Sequence, residues 1–413
     1  MKIWIKYIIG IILGIAFAVF LPPQSAQGED MLAFVVELVT RFGRYILPSM
    51  LFFSIATACF KLRDEKTMLR TGVWTFVVII FSSFLLVGLG IAAALLVHLP
   101  RIPMSIEVAE GVPTLDVRSL LRSLFPYSSL KSLFEDEYLL PCFIFAGLTG
   151  AAAADDKSET KTAVSLFTSL SRVCYTIMGF FTELMAVGMI ALSLKWMLDF
   201  NSVKNSELYL PLFTLLTVLF FVTAVIVYPL ILRFVCHDTH PFRVLYASIA
   251  PVVMAFFSGD TNLTLPLSIR HGRESLGIHS KVSSVTYPLF SVFAKGGSAL
   301  VASVCFIVIL RSYSMLYSIM EIKISTVLWI AFFSFLFSFA LGGHATGNAF
   351  LLLSILCIKY GGGYEAGYLL LRNTAPLLSS FAVAFDALTA MTGSYIVGIK
   401  TESVNRQEIR KFI

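Results

Sequence analysis

Lys295 and Asp386 each lie near the middle of an apolar stretch long enough to cross a bilayer, Val285–Leu310 and Leu377–Val397. A charge at the bilayer centre costs roughly 2.5–3.5 kcal/mol on insertion scales, so each needs a partner or a water-filled cavity. One cation and one anion at similar depth on separate helices point to a polar site at the core of a transporter. The plain alternative is a structural ion pair between two helices.

The rest of the chain reads as a polytopic membrane protein. Of 413 residues, 57% are hydrophobic and 14% charged, against about 25% charged in a soluble domain. The mean hydropathy is +0.85. The apolar runs are continuous rather than alternating, which argues against a transmembrane barrel and for roughly eight helical spans. The net charge of +6 comes from cations clustered between the runs, so it gives no reason to expect nucleic acid. Cys59, Cys142, Cys174, Cys236, Cys305 and Cys357 are scattered at no metal-ligand spacing and read as packing residues. Met1–Gly28 carries lysines, an apolar stretch and small residues, like a signal peptide. The many spans that follow favour a retained first helix.

The spans are expected at 3–22, 41–60, 72–99, 138–154, 163–199 and 208–235, with the two charged stretches as the seventh and eighth. The polar stretch 101–137 reads as an outside loop. Two regions are interrupted instead of continuous. Val244–Phe257 is broken by Ser258-Gly259-Asp260-Thr261-Asn262 before Leu263–Ile269 resumes. Thr326–Leu341 is broken by Gly342-Gly343-His344-Ala345-Thr346-Gly347-Asn348 before Ala349–Ile358 resumes. Arms this short do not cover a core of about 30 Å at 1.5 Å per residue, so each region reads as a re-entrant hairpin. A single kinked span is the alternative. Each hairpin precedes a charged helix, and paired interrupted segments point to a binding site at the midplane. Basic residues in 61–70, 270–281 and the 400–413 tail put both termini in the cytoplasm. The hairpins then enter from opposite sides, as an inverted repeat does.

Several motifs resemble the dicarboxylate/amino acid:cation symporters, relatives of the archaeal aspartate and mammalian glutamate transporters. Thr264-Leu265-Pro266-Leu267-Ser268-Ile269-Arg270 and Leu276-Gly277-Ile278 resemble the end of that family's first hairpin. Pro288-Leu289 and Gly297-Ser298-Ala299-Leu300 resemble the flanks of its seventh-helix motif. Thr392-Gly393-Ser394 and Lys400-Thr401-Glu402 resemble the end of its eighth helix. The span order fits nearly the whole chain, the N-terminal half by pattern only.

The resemblance implies eight transmembrane helices with two hairpins, all α. It also implies a homotrimer and a multi-pass location in the cell (inner) membrane. Residues 1–70 would hold scaffold helices one and two, and 71–100 the third helix, part of the moving unit. Residues 101–206 would hold the outside loop and scaffold helices four and five. Residues 207–400 would complete the moving transport unit, and 401–413 form a cytoplasmic tail.

The departures fall in the ion and substrate motifs. The family's Asn-Met-Asp-Gly-Thr, which helps bind sodium, aligns with Ala294, Lys295, Gly296, Gly297 and Ser298. Its eighth-helix substrate aspartate and arginine align with Ser379 and Ala382, its last sodium-binding aspartate with Ala390, and an asparagine with Asp386. These changes remove usual ligands for bare sodium, and a tethered ammonium can stand in for a bound cation. Lys295, Asp386 and Ser298 form the expected charge centre, with Lys295 and Asp386 close enough to interact in at least one transport state. The expected solute contacts are Asp260, Thr261, Asn262, His344, Ala345, Thr346, Gly347, Ser379 and Asp386. Bland roles compete at several: Asp260 as a helix cap, His344 as a local hydrogen-bonding residue, and Ser379 and Ser380 bonded back to their own helix.

The expected function is secondary active transport of an amino acid or dicarboxylate-like organic acid, coupled to sodium or protons. No catalytic group, metal or other cofactor is expected, and the resident partner is the lipid bilayer. A passive channel or transport-inactive relative is the first alternative. A two-aspartate intramembrane protease using Asp260 and Asp386 is a weaker one.

Overall fold

The computed structural model describes residues 2–20, 26–97, 99–102, parts of 122–133, 138–204, 208–313, 323–405 and 412–413. Most of the 101–137 loop, the 21–25 junction and Arg406, Arg410 and Lys411 of the tail lie outside the described residues. Those described are almost wholly helical. Eight helical stretches are long and apolar enough to cross a membrane: Ile3–Phe20, Gln27–Asp64, Met68–Leu96, Ser158–Val203, Leu210–Val235, Ser280–Tyr313, Ile324–Gly343 and Gly367–Lys400.

Their membership differs from expectation in one place. The expected fourth span is a helix of 14 residues, Leu140–Ala153. At 1.5 Å per residue that covers about 21 Å, less than a hydrocarbon core. The first arm of the second interrupted region, Ile324–Gly343, is 20 residues long and takes its place in the set. The expected second span also grows. Helix α2 (Ala26–Arg44) precedes α3 (Leu47–Asp64), and Pro48 sits in the first turn of α3, where its missing N–H costs nothing.

The other helices are α1 (Ile3–Phe20), α4 (Met68–Leu96), α5 (Leu140–Ala153), α6 (Lys157–Lys204), α7 (Leu210–Val222) and α8 (Tyr228–Val235). A π-helical turn, Thr223–Val227, joins α7 to α8 ahead of Pro229. The interrupted regions give α9 (Phe242–Ser258) with α10 (Thr261–Glu274), and α13 (Ile324–Ser338) with α14 (Asn348–Tyr360). The charged helices are α11 (Ser280–Phe293) running into α12 (Gly296–Tyr313), and α15 (Ala375–Lys400). Helix α1 lies along α6, where the Tyr7 hydroxyl donates to the Thr182 carbonyl at 2.7 Å.

Burial sorts these helices into a centre and a rim. The apolar windows of Ser280–Tyr313 and Gly367–Lys400 are 94% buried, against 33% for Ile3–Phe20 and 22% for Ile324–Gly343. The helices that bear charge are therefore the ones shielded by protein, as the cost of charge in lipid requires. Leu328, Phe332 and Leu336 stand exposed on one stripe of α13, a surface suited to lipid. The packing is crossed. The α9–α10 pair packs on α15, which carries Asp386, while the α13–α14 pair packs on α12, just past Lys295.

Candidate functional site

The first tip forms because its residues suit a tight reversal. Gly259 takes the left-handed conformation, φ 60°, which ends α9 at little steric cost. Asp260 is extended and caps α10: its Oδ1 accepts from the Asn262 and Leu263 N–H groups at 2.9 and 3.0 Å. Its Oδ2 accepts from Arg44 Nε at 2.9 Å and Nη2 at 2.5 Å. Asp260 is 2% exposed, so a buried ion pair joins the end of α2 to the tip. Both carboxylate oxygens are thereby engaged within the protein.

At the second tip α13 tightens into a 3-10 turn, Phe339–Gly343. His344 is extended, Gly347 is left-handed at φ 72°, and α14 starts at Asn348. Asn348 Nδ2 donates to the His344 carbonyl at 3.1 Å. The His344 ring has no hydrogen bond among the described residues.

The two tips meet. Thr261 donates to the Ala345 carbonyl through its N–H at 3.1 Å and through Oγ1 at 3.2 Å. Ser379 on α15 ties both tips through one hydroxyl, which donates to the Gly259 carbonyl at 3.2 Å and accepts from the Gly347 N–H at 3.1 Å. Ser380, by contrast, bonds back to Pro376 in its own helix. Between α11 and α12 the helix breaks at Ala294 and Lys295. From that break Lys295 Nζ donates to Thr261 Oγ1 at 2.9 Å. Asp386 accepts from the Gly297 N–H at 2.7 Å and from Ser298 Oγ at 3.0 Å, which satisfies the first turn of α12. No ion pair within 4 Å joins Lys295 to Asp386 in this structure; the ammonium turns to the tip and the carboxylate to the helix start.

A cavity of about 350 Å³ lies against these tips. Ser258, Gly259, Thr346, Gly347, Ser379 and Ser380 line it from the tip side. Lys195, Trp196 and Asp199 of α6 line it from the other, with Lys195 and Asp199 paired at 2.7 Å. Hydroxyls and backbone groups at the junction of two tips can hold the polar ends of a small solute. Below, Thr261, Ser268, Ser291 and Asp386 border a space of about 20 Å³, room for about one water.

The structure thus brings Thr261, Ala345, Gly347, Ser379, Lys295, Ser298 and Asp386 into one hydrogen-bonded region. Thr346 faces the cavity, Asn262 is buried at the start of α10, and Asp260 points to Arg44. Arg44, Ser258, Gly259 and the α6 pair are additions that the motifs did not reveal. Arg44 carried a signal nonetheless: an arginine inside an expected span needs a partner.

Eight membrane-length helices, two meeting tips and a cavity that mixes apolar walls with hydroxyl groups define a multi-pass membrane transporter. Residues 3–399 match the sodium:dicarboxylate symporter family, and the chain belongs to that family. Similar proteins include the serine/threonine transporter SstT of Enterococcus faecalis, 22% identical over 86% of this chain and 81% of the relative. The human neutral amino acid transporter B(0) is 22% identical over 85% of this chain and 71% of its own. The putative sodium-dependent excitatory amino acid transporter glt-3 of Caenorhabditis elegans is 20% identical over 76% and 67%.

Proposed function

We propose that this secondary transporter moves a small neutral amino acid across the cell membrane by alternating access, with the solute held between the two tips. The observation that carries the reading is the tip junction itself, Thr261 to Ala345 and Ser379 to both tips, beside a largely apolar cavity that the hydroxyl-bearing residues Ser258, Thr346, Ser379 and Ser380 also line. Among the described residues, the cation lining the cavity, Lys195, is paired with Asp199 at 2.7 Å, and Ala382 occupies the position that the resemblance gives to an arginine for an acidic side chain. Two relatives, a serine/threonine transporter and a neutral amino acid transporter, support the same class.

In this reading α9–α10 and α13–α14 are re-entrant hairpins of an inverted repeat, supported by their crossed packing on α15 and α12. The moving unit comprises α4, residues 207–400 and both tips. The scaffold comprises α1–α3, α5 and α6, and three copies assemble in an inner membrane with termini in the cytoplasm.

Purified protein in liposomes tests this. Labelled serine or alanine should enter saturably, with competition among neutral amino acids and little by aspartate. Uptake that never saturates would indicate a passive channel, and no uptake a transport-inactive relative. Ser379→Ala should lower uptake efficiency about tenfold, because a shared hydrogen bond of about 1–1.5 kcal/mol is lost at the site. An unchanged Ser379→Ala protein would remove Ser379 from the solute pathway.

A further inference from the structure

We infer that Lys295 is a built-in cation: its ammonium takes the place of a coupling sodium at the helix break and joins the two tips without one. The inference deepens the transport reading and rests on it only for the role of the tips.

Lys295 is 1% exposed and its ammonium donates to Thr261 Oγ1. Thr261 Oγ1 in turn donates to the Ala345 carbonyl. A positive charge in the α11–α12 break is thus connected through the first tip to the second. The carboxylates whose field reaches the ammonium are Asp386 and Asp260. Neither pairs with it directly, because Asp386 is held by Gly297 and Ser298 and Asp260 by Arg44 and its own helix start. A buried carboxylate needs a nearby countercharge, and here the chain provides it by covalent attachment.

Three positions that the resemblance gives to sodium ligands, Ala294, Gly296 and Ala390, carry none here, and the oxygens that remain at the break are engaged: Asp386 by Gly297 and Ser298, Thr261 Oγ1 by the ammonium. Ala294 and Ala390 offer no side-chain oxygen. At Gly296 there is no room for an acidic side chain, because its Cβ would come within 2.8 Å of the Ser83 Cα on α4. Packing has closed over Gly296, the position of the family's motif aspartate, and the ammonium of the adjacent Lys295 supplies a charge there instead. A merely structural lysine would be matched by an acid within a rigid core; this one ends on a hydroxyl at the junction of two tips.

The test reads the second tip and needs no solute. Cys59, Cys142, Cys174, Cys236, Cys305 and Cys357 are all buried, so Thr346→Cys in the full chain gives a reporter at the exposed tip. Its rate of maleimide labelling is compared in sodium chloride and in choline chloride. With Lys295 present, the two rates should agree within twofold. Adding Lys295→Met should raise the rate at least fivefold in both salts. Thr261→Val, which keeps the lysine but removes its acceptor together with the hydroxyl bond to Ala345, should do the same. Slowing of several-fold by sodium in the Lys295 protein would overturn the inference, as would unchanged labelling in both variants. If Lys295→Met is not recovered as a single folded species, the salt response and Thr261→Val decide. Failure of uptake in liposomes would strike the transport reading and leave this result readable.

Discussion

Asp260→Ala is expected to destabilise the protein by about 3 kcal/mol, the lower end of the cost of removing one partner of a buried ion pair. The loss has two parts. Arg44 keeps its charge in a site where it is only 14% exposed, and α10 loses the cap on the N–H groups of Asn262 and Leu263. A lost cap alone is worth about 1 kcal/mol. Arg44→Met should cost less, because the cap survives. The double variant should be less damaged than the sum of the two, with a coupling of at least 1 kcal/mol. Thermal unfolding of the detergent-purified protein measures this, with a fall of order 5 °C for Asp260→Ala. Additive effects would mean that the pair contributes nothing beyond its separate parts. The pair also links α2, assigned to the scaffold, with a tip assigned to the moving unit. Alternating access requires it to break, so Arg44→Met should also shift the balance of transport states.

Asp386→Leu is the second large change, with uptake expected to fall at least a hundredfold, about 2.7 kcal/mol. It leaves the Gly297 N–H and the Ser298 hydroxyl buried without an acceptor, at about 1–3 kcal/mol each. It also removes the main negative charge acting on Lys295. Asp386→Asn keeps one carbonyl for Gly297, so stability should rank Asp, then Asn, then Leu. Asp386→Asn with Lys295→Met should be tolerated better than the two separate losses predict, because neither charge is then left alone. A leucine variant as stable and active as the parent would show that the carboxylate does not organise the start of α12.

The outline of this arrangement was legible in the sequence, and the wiring was not. Lys295 and Asp386 stood out because charge in an apolar run is costly, and both occupy the most enclosed helices. Gly259 and Gly347 marked their turns because glycine reaches the left-handed region freely. Periodicity does not say which atoms meet across distant segments. Lys295 was expected near Asp386, yet its direct bond is to Thr261, since a break in the helix turns it toward the tip. The same break escaped reading because Ala294 and Lys295 carry no strong turn signal. The short α5 was read as a span because 138–154 is an unbroken run without charge, while its helix covers only Leu140–Ala153. Arg44 was passed over because its partner lies far along the chain, at Asp260.

The separation between Asp386 and the groups it serves has a consequence for biosynthesis. Gly297 and Ser298 precede their acceptor by 89 and 88 positions. During synthesis α11 and α12 therefore reach the membrane well before α15 exists. Until that last helix arrives, the Gly297 N–H and the Ser298 hydroxyl wait without their acceptor, and the ammonium has only the more distant field of Asp260. The polar centre is thus assembled last, by the C-terminal helix. Any chain cut short of Asp386 leaves the first turn of α12 without its acceptor at membrane depth.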